Sequence, residues 1–315
     1  MEPLERLELV ASEQERRAII LMPDLRTWLN EVDKLGQLMT VENVHWDLEL
    51  STLTEIINER SKTRPALLFD RIKDYPQGYR VAANLVSSVD RLALTLGMKP
   101  GLSDMEFIEA WRRQVKRIVP VTAETVSTGP VFENVHKGKD INVLKFPVPR
   151  WHELDGGRYI GTDDLVVTRD PEEEWVNVGT YRIMAHGPDR LALHMSPGKH
   201  GRVHKEKYHQ QGKSFPVAVC FGHHPINFVV ASTDVPNRIN EYDYAGGILG
   251  RPLQVVKGPL TGLPIPADAE IAIEGEVGVD DVMPEGAFGE WTGYYGSNQP
   301  AVPVIQIKAL YFRND

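Results

Sequence analysis

The apolar positions of the first hundred residues alternate between two periods. Leu25, Trp28, Leu29, Val32 and Leu35 recur at three- and four-residue spacing, and Gly36 follows where a helix would end. That spacing predicts an amphipathic helix. LMTVENV then reads as a short strand, and Thr52 with Glu55 has the spacing of a capping box opening a helix through Ile56 and Ile57. PALLFDRI reads as a buried strand, YRVAANLVSS as another, and Val89 to Leu96 as a helix closed by Gly97. Ser103 and Glu106 form a second capping box, ahead of a helix carrying Phe107, Ile108, Trp111 and Val115. The basic run RRQVKR at its end reads as a solvated helix face. Residues 1–118 are therefore expected to form an N-terminal α/β domain.

The texture then changes. Pro120, Gly129, Pro130, Pro147 and Pro149 punctuate a linker-like stretch, and strand-like runs follow it: DDLVVTRD, WVNVGTYRIMA, LALHM, FPVAVCFG, AEIAIEGEV and VPVIQIKALYF. Helical patches interrupt them at Val203 to Gln211 and Asn240 to Leu249. Strands this numerous argue for a closed or partly closed β structure over residues 119–315 and against a doubly wound sheet.

Composition narrows the function. The 315 residues are 42% hydrophobic and 25% charged, enough for a large core. A net charge of -9 argues against nucleic acid as a partner, because that needs a basic face. There is no run of eighteen apolar residues, so no membrane span is expected. The segment MEPLERLELVASEQERRAII places charges where a signal peptide needs its apolar core, and the protein is expected in the cytosol. The lone Cys220 excludes a disulfide framework and any multi-thiolate metal site, which leaves oxygen and imidazole ligands.

Candidate chemistry concentrates between Trp175 and His200, WVNVGTYRIMAHGPDRLALHMSPGKH. Asn177 and Arg182 are five apart and point to opposite faces of a regular strand. They serve one site only if Gly179 bends the strand, or if a long ligand meets them at different points; a sheet Asn and a surface-paired Arg fit the pattern too. Seven of the ten histidines lie from His186 to His224, but no HExxH pair occurs, and most read as solvated side chains. His200 stands apart in SPGKHGR, where Gly198 and Gly201 let the backbone approach a ligand and Lys199 and Arg202 suit an anion. Glu285 and Glu290 flank GAFG ahead of WTGYYG, and burial among aromatics there would raise one carboxyl pKa for general acid work. No nucleotide-binding glycine motif and no GxSxG elbow is present.

Taken together, N-x-G-x-Y-R at Asn177 to Arg182, PGKH ending at His200, EYDYAGG from Glu241, RPLQVVKGPLTGLPIPADAEIAIEGEV and PEGAFGEWTGYYG resemble, in order and spacing, the UbiD family of reversible decarboxylases. The resemblance implies a split β-barrel holding prenylated flavin mononucleotide (prFMN). It implies that Asn177, His200 and Glu241 bind Mn2+ (or Mg2+), which together with K+ bridges to the cofactor phosphate. Gly179, Thr180, Tyr181, Lys199, Ser232 and Thr233 match further cofactor positions. Arg182, Glu285 and Glu290 match the family's catalytic network. The implied reaction removes carbon dioxide from an aromatic or α,β-unsaturated carboxylic acid through a covalent flavin adduct, with Glu290 as proton donor. Aromatic carboxylation in reverse and non-catalytic flavin binding are the alternatives. A flavin prenyltransferase is the implied cofactor supplier. The family also has a C-terminal α/β domain that carries much of a homo-oligomer interface; the chain stops before it at ALYFRND, and weak or absent turnover of this form is expected.

Overall fold

The structure is a computed structural model describing residues 22–236, 238–296 and 300–314. The charged N-terminal segment, residues 1–21, lies outside the described residues. Helix α1, Leu25–Lys34, opens on Asp24, whose carboxylate accepts from the Thr27 N–H while the Thr27 hydroxyl answers the Asp24 N–H. Gly36 follows in the left-handed region, at φ +67°. Strand β1, Leu38–Glu42, helix α2, Glu49–Arg60, and strands β2, Ala66–Asp70, and β3, Val81–Ala83, complete a three-stranded sheet in the order β1-β2-β3. Alternation along β2 sends Ala66 to Trp28 and Val32 of α1, and Leu67 and Phe69 to Leu50 of α2. A helix thus covers each face.

The capping box read at Thr52 and Glu55 is not formed. Helix α2 starts earlier, at Glu49, after Leu48 at φ +66°. The Thr52 N–H already bonds to the Leu48 carbonyl at 2.9 Å, inside the first turn, and Glu55 reaches away to His152 Nε2 at 2.6 Å. Helices α3, Val89–Thr95, and α4, Asp104–Gln114, follow; the Ser103–Glu106 box on α4 is reciprocal, as read. Phe107 and Ala110 of α4 share a core with Val167 and Ala218 of the next layer.

That layer begins with β4, Glu124–Val126, β5, Asn134–Lys137, β6, Arg158–Gly161, β7, Leu165–Arg169, β8, Val176–Gly179, β9, Arg182–Ala185, and β10, Arg190–His194. Helix α5, His200–Gln210, strand β11, Phe215–Phe221, and helices α6, Pro225–Ala231, and α7, Glu241–Leu249, come next. Strands β12, Gln254–Lys257, β13, Pro264–Pro266, β14, Ile271–Met283, β15, Gly289–Glu290, β16, Tyr294–Tyr295, and β17, Val302–Phe312, end the described chain.

Nine strands form one sheet in the order β6-β9-β10-β17-β14-β11-β7-β8, with β5 on β17. Strands β8 and β9 lie six positions apart in that order, about 29 Å if the sheet were flat. Only Thr180 and Tyr181 join them, a reach of about 10 Å. The sheet therefore curls until its ends nearly meet, with no ladder among the described residues closing the gap, and encloses Val166, Ile183, Leu193, Val219 and Ile305. This is the partly closed β structure expected. It also settles the parity question: no bulge at Gly179 is needed, because Asn177 and Arg182 belong to different strands.

Candidate active site

Arg182, at the start of β9, makes a two-pronged ion pair with Glu285: Nε donates to Oε1 at 2.5 Å and Nη2 to Oε2 at 2.9 Å. Glu290 Oε1 stands 3.9 Å from Nη1 of the same guanidinium, and the Phe288 ring lies 4.4 Å beneath it. Glu285 is almost fully buried. Burial alone pushes its carboxyl up, yet hydrogen bonds from His194 and Arg182 and the Arg182 charge outweigh burial and hold it below the ordinary range. The expectation that burial would raise a carboxyl here thus fails for Glu285, because its partners favour the ionised form.

His194, one of the histidines that the sequence pattern reads as solvated, belongs to this cluster. Its Nδ1 lies 2.8 Å from Glu285 Oε2, and it faces Arg182 directly across the β9–β10 ladder. A signal for it existed, since a hairpin turning at Gly187–Pro188–Asp189 places residues 182 and 194 opposite each other.

The segment bearing both glutamates is tied down at several points. His186 Nε2 donates to the Pro284 carbonyl at 2.8 Å, Gly156 N–H to Ala287 O at 2.9 Å, and Gly289 N–H to Asp155 Oδ1 at 2.7 Å. A Cβ at Gly156 would run into the Glu285 carbonyl, so only glycine allows this approach.

Asn177, His200 and Glu241 come together at the other end of the two-residue link. Asn177, buried in β8, places Oδ1 3.2 Å from His200 Nδ1 at the first turn of α5. Glu241, buried at the start of α7, accepts the Val178 N–H at 2.7 Å. Burial pushes its carboxyl up to about 7, and no cation is paired with it among the described residues. Among the described residues no three His, Cys, Asp or Glu side chains cluster as a metal site; this set holds two such residues and an amide. Its chemistry, an amide oxygen, an imidazole and an uncompensated buried carboxylate, fits a divalent cation.

The remaining candidates divide. Tyr181 wedges between Gly179 and Gly201, where a Cβ would meet its ring or hydroxyl within 2.9 Å, and its hydroxyl accepts the Gly201 N–H. Thr180 lies beside the buried Asp164 carboxyl and favours its charged form, and Lys199 is exposed as the residue preceding α5. The Ser232 and Thr233 hydroxyls both turn back onto the Val229 carbonyl at the end of α6, which does not bring them to the Asn177 set. Trp291 and Tyr294 are exposed beside Glu290.

Comparison with known proteins decides the family. Residues 124–315 match the model of the UbiD 3-octaprenyl-4-hydroxybenzoate carboxy-lyase Rift-related domain, and residues 29–111 match the model of that enzyme's N-terminal domain. The chain belongs to the UbiD family. It is 33% identical over 299 residues to pyrrole-2-carboxylic acid decarboxylase of Pseudomonas aeruginosa, covering 92% of this chain and 60% of that protein. It is 34% identical to phenolic acid decarboxylase of Bacillus subtilis, covering 93% and 62%. The closed form of Sedimentibacter hydroxybenzoicus vanillic acid decarboxylase superposes with a TM-score of 0.87 at 32% identity, over 93% of this chain and 62% of that one. The UbiD-class enzyme HmfF from Pelotomaculum thermopropionicum, in complex with prFMN, gives 0.82 at 28% identity, over 93% and 65%. The chain thus spans about 60% of the length of the curated UbiD relatives it matches. No described helix is long and apolar enough to cross a membrane.

Proposed function

We propose that this UbiD-family chain binds prenylated FMN and takes part in decarboxylating an aromatic or α,β-unsaturated carboxylic acid, a cytosolic reaction that runs toward carboxylation when carbon dioxide is abundant. The observation that carries the reading is the sharing of one guanidinium: Arg182 grips Glu285 with two nitrogens and presents the third toward Glu290. Loss of carbon dioxide leaves electrons on an sp² carbon, and prFMN, when bound, supplies the sink that no protein side chain provides. The division of labour at 118/119 is part of the proposal, with the barrel carrying the site and the N-terminal unit bracing it.

Each residue's task follows from its place. Asn177, His200 and Glu241 would hold Mn2+ or Mg2+, which with K+ would neutralise the charge of a cofactor phosphate near the N-terminus of α5, where helix N–H groups and Lys199 favour an anion. The Thr180–Tyr181 link then sets the distance from the phosphate end to the reacting end. Arg182 orients the substrate carboxylate through the nitrogen that Glu285 leaves free. Glu285 and His194 fix the guanidinium plane. Glu290, less buried and within reach of the same guanidinium, delivers a proton to the substrate carbon. A flavin prenyltransferase supplies the cofactor, and the protein assembles as a homo-oligomer.

Glu290→Gln should keep flavin and lose turnover, whereas His200→Ala should lose metal and flavin together. Normal turnover in the first variant, or a full flavin complement in the second, would refute the respective assignment.

A further inference from the structure

A cavity of about 530 Å³ lies between the N-terminal α/β layer and the barrel, and none of Asn177, Arg182, His200, Glu241, Glu285 or Glu290 lines it. Its floor is a row of apolar side chains in register across three neighbouring strands: Phe312 of β17, Ile271 of β14 and Phe221 of β11. Two inter-strand steps make that floor about 10 Å wide. Tyr79, stacked on Phe146 at 5.9 Å, adds an aromatic wall, and Phe146 meets Phe312 edge-on at 5.5 Å.

The two flanks of the floor differ chemically. Above Phe312 sits the Lys145 ammonium, 3.9 Å from the ring centre. No carboxylate is paired with it among the described residues, and burial holds its pKa below the usual value. Two residues beyond Phe221, on the other flank, lies His223, 3% exposed, whose Nε2 has no hydrogen-bond partner. Burial dominates and pulls the pKa down to about 4, against the His224 carbonyl, 3.2 Å from Nδ1, and the Asp163 carbonyl, which favour the charged form, so the ring is neutral. Asp163 Oδ1 is also buried and unpartnered, and burial pushes this carboxyl up to about 8, which makes it a neutral donor and acceptor at pH 7. Buried polar atoms normally have partners; here an unpaired cation and two uncharged polar groups face one aromatic-walled space.

We propose that this cavity is a second small-molecule site that takes a planar aromatic carboxylate bearing a polar group across the ring. The carboxylate pairs with Lys145, the ring lies on the Phe312–Ile271–Phe221 floor, and the distal hydroxyl meets Asp163 and His223. One ring with a substituent at each end spans the width between the flanks. Pockets of this volume and lining hold ligands of that size.

Titration calorimetry on the flavin-free chain with 4-hydroxybenzoate, benzoate and cyclohexanecarboxylate as probes tests it, independently of any catalytic assignment. The expected result is saturable one-site binding in the order 4-hydroxybenzoate, benzoate, cyclohexanecarboxylate, weakened about tenfold or more in Lys145→Met and restored in Lys145→Arg. Asp163→Leu should weaken 4-hydroxybenzoate and leave benzoate near wild type, and Arg182→Met should leave both unchanged. Absence of saturable binding, wild-type affinity in Lys145→Met, or loss of binding in Arg182→Met would overturn the proposal; the last outcome would place the ligand at the site already described.

Discussion

The Arg182–Glu285 pair offers a quantitative test of how the site is held. Glu285 has a side chain 1% exposed and Arg182 one 18% exposed. Glu285→Leu leaves a guanidinium with most of its surface buried and no carboxylate gripping it. Removing one member of a buried pair costs about 3–5 kcal/mol, and water access to Arg182 argues for the lower end, about 3 kcal/mol. Arg182→Met strands the Glu285 carboxylate with His194 alone and should cost a similar amount. The double variant strands neither charge, so its loss should be no greater than that of either single variant, about 3 kcal/mol or less, for a coupling of at least about 3 kcal/mol. Urea unfolding at pH 7, followed by tryptophan emission, measures all four corners. Additivity within about 0.5 kcal/mol would refute the reasoning, because independent side chains behave that way. The pH dependence has a definite sign. Glu285 has a lower pKa folded than unfolded, so its contribution is present above the unfolded value of about 4.3 and disappears as pH falls through the folded value. The deficit of Glu285→Leu should shrink below pH 4.

Other expectations follow from single contacts. Gly179→Ala puts a Cβ 2.7 Å from the Tyr181 ring and should lower stability by about 1–3 kcal/mol in the same assay, with weakened flavin retention. Gly156→Ala should displace the Glu285 backbone and reduce turnover more than it reduces the unfolding midpoint. His224 is buried with its pKa pulled down to about 3, so it stabilises the fold above the unfolded value of about 6.5, and that stability is lost as pH falls from there toward 3. His224→Asn keeps an acceptor for the Ile226 N–H and should flatten the acid side of the stability profile; an unchanged slope between pH 6.5 and 4 would count against it.

What the sequence disclosed depended on how local the cause was. Helices α1 and α4 were legible because spacing and caps lie within a few residues, and the strand-rich half was legible from alternation and turn residues. The capping box at Thr52 misled because its hydroxyl spacing recurs inside a helix that had already begun. The strand break at Thr180 and Tyr181 was hidden, since two residues joining β8 to β9 look like a bulge until the strand order is known. His194 was hidden for the same reason: its partner Glu285 is 91 residues away. The lowered carboxyl pKa at Glu285 depended on Arg182 and His194 converging on it, which no local pattern encodes. The motifs from Asn177 to Gly296 pointed to the family, and the structure separates their two ends into an Asn177–His200–Glu241 group and an Arg–Glu–His cluster.

The most direct test of the central claim is the absorption spectrum and mass of the cofactor recovered from this chain after co-expression with a flavin prenyltransferase and addition of manganese. The account predicts near-stoichiometric prenylated FMN in the wild type and in Glu290→Gln, and little flavin in His200→Ala. Recovery of the wild type without prenylated flavin under those conditions would contradict it.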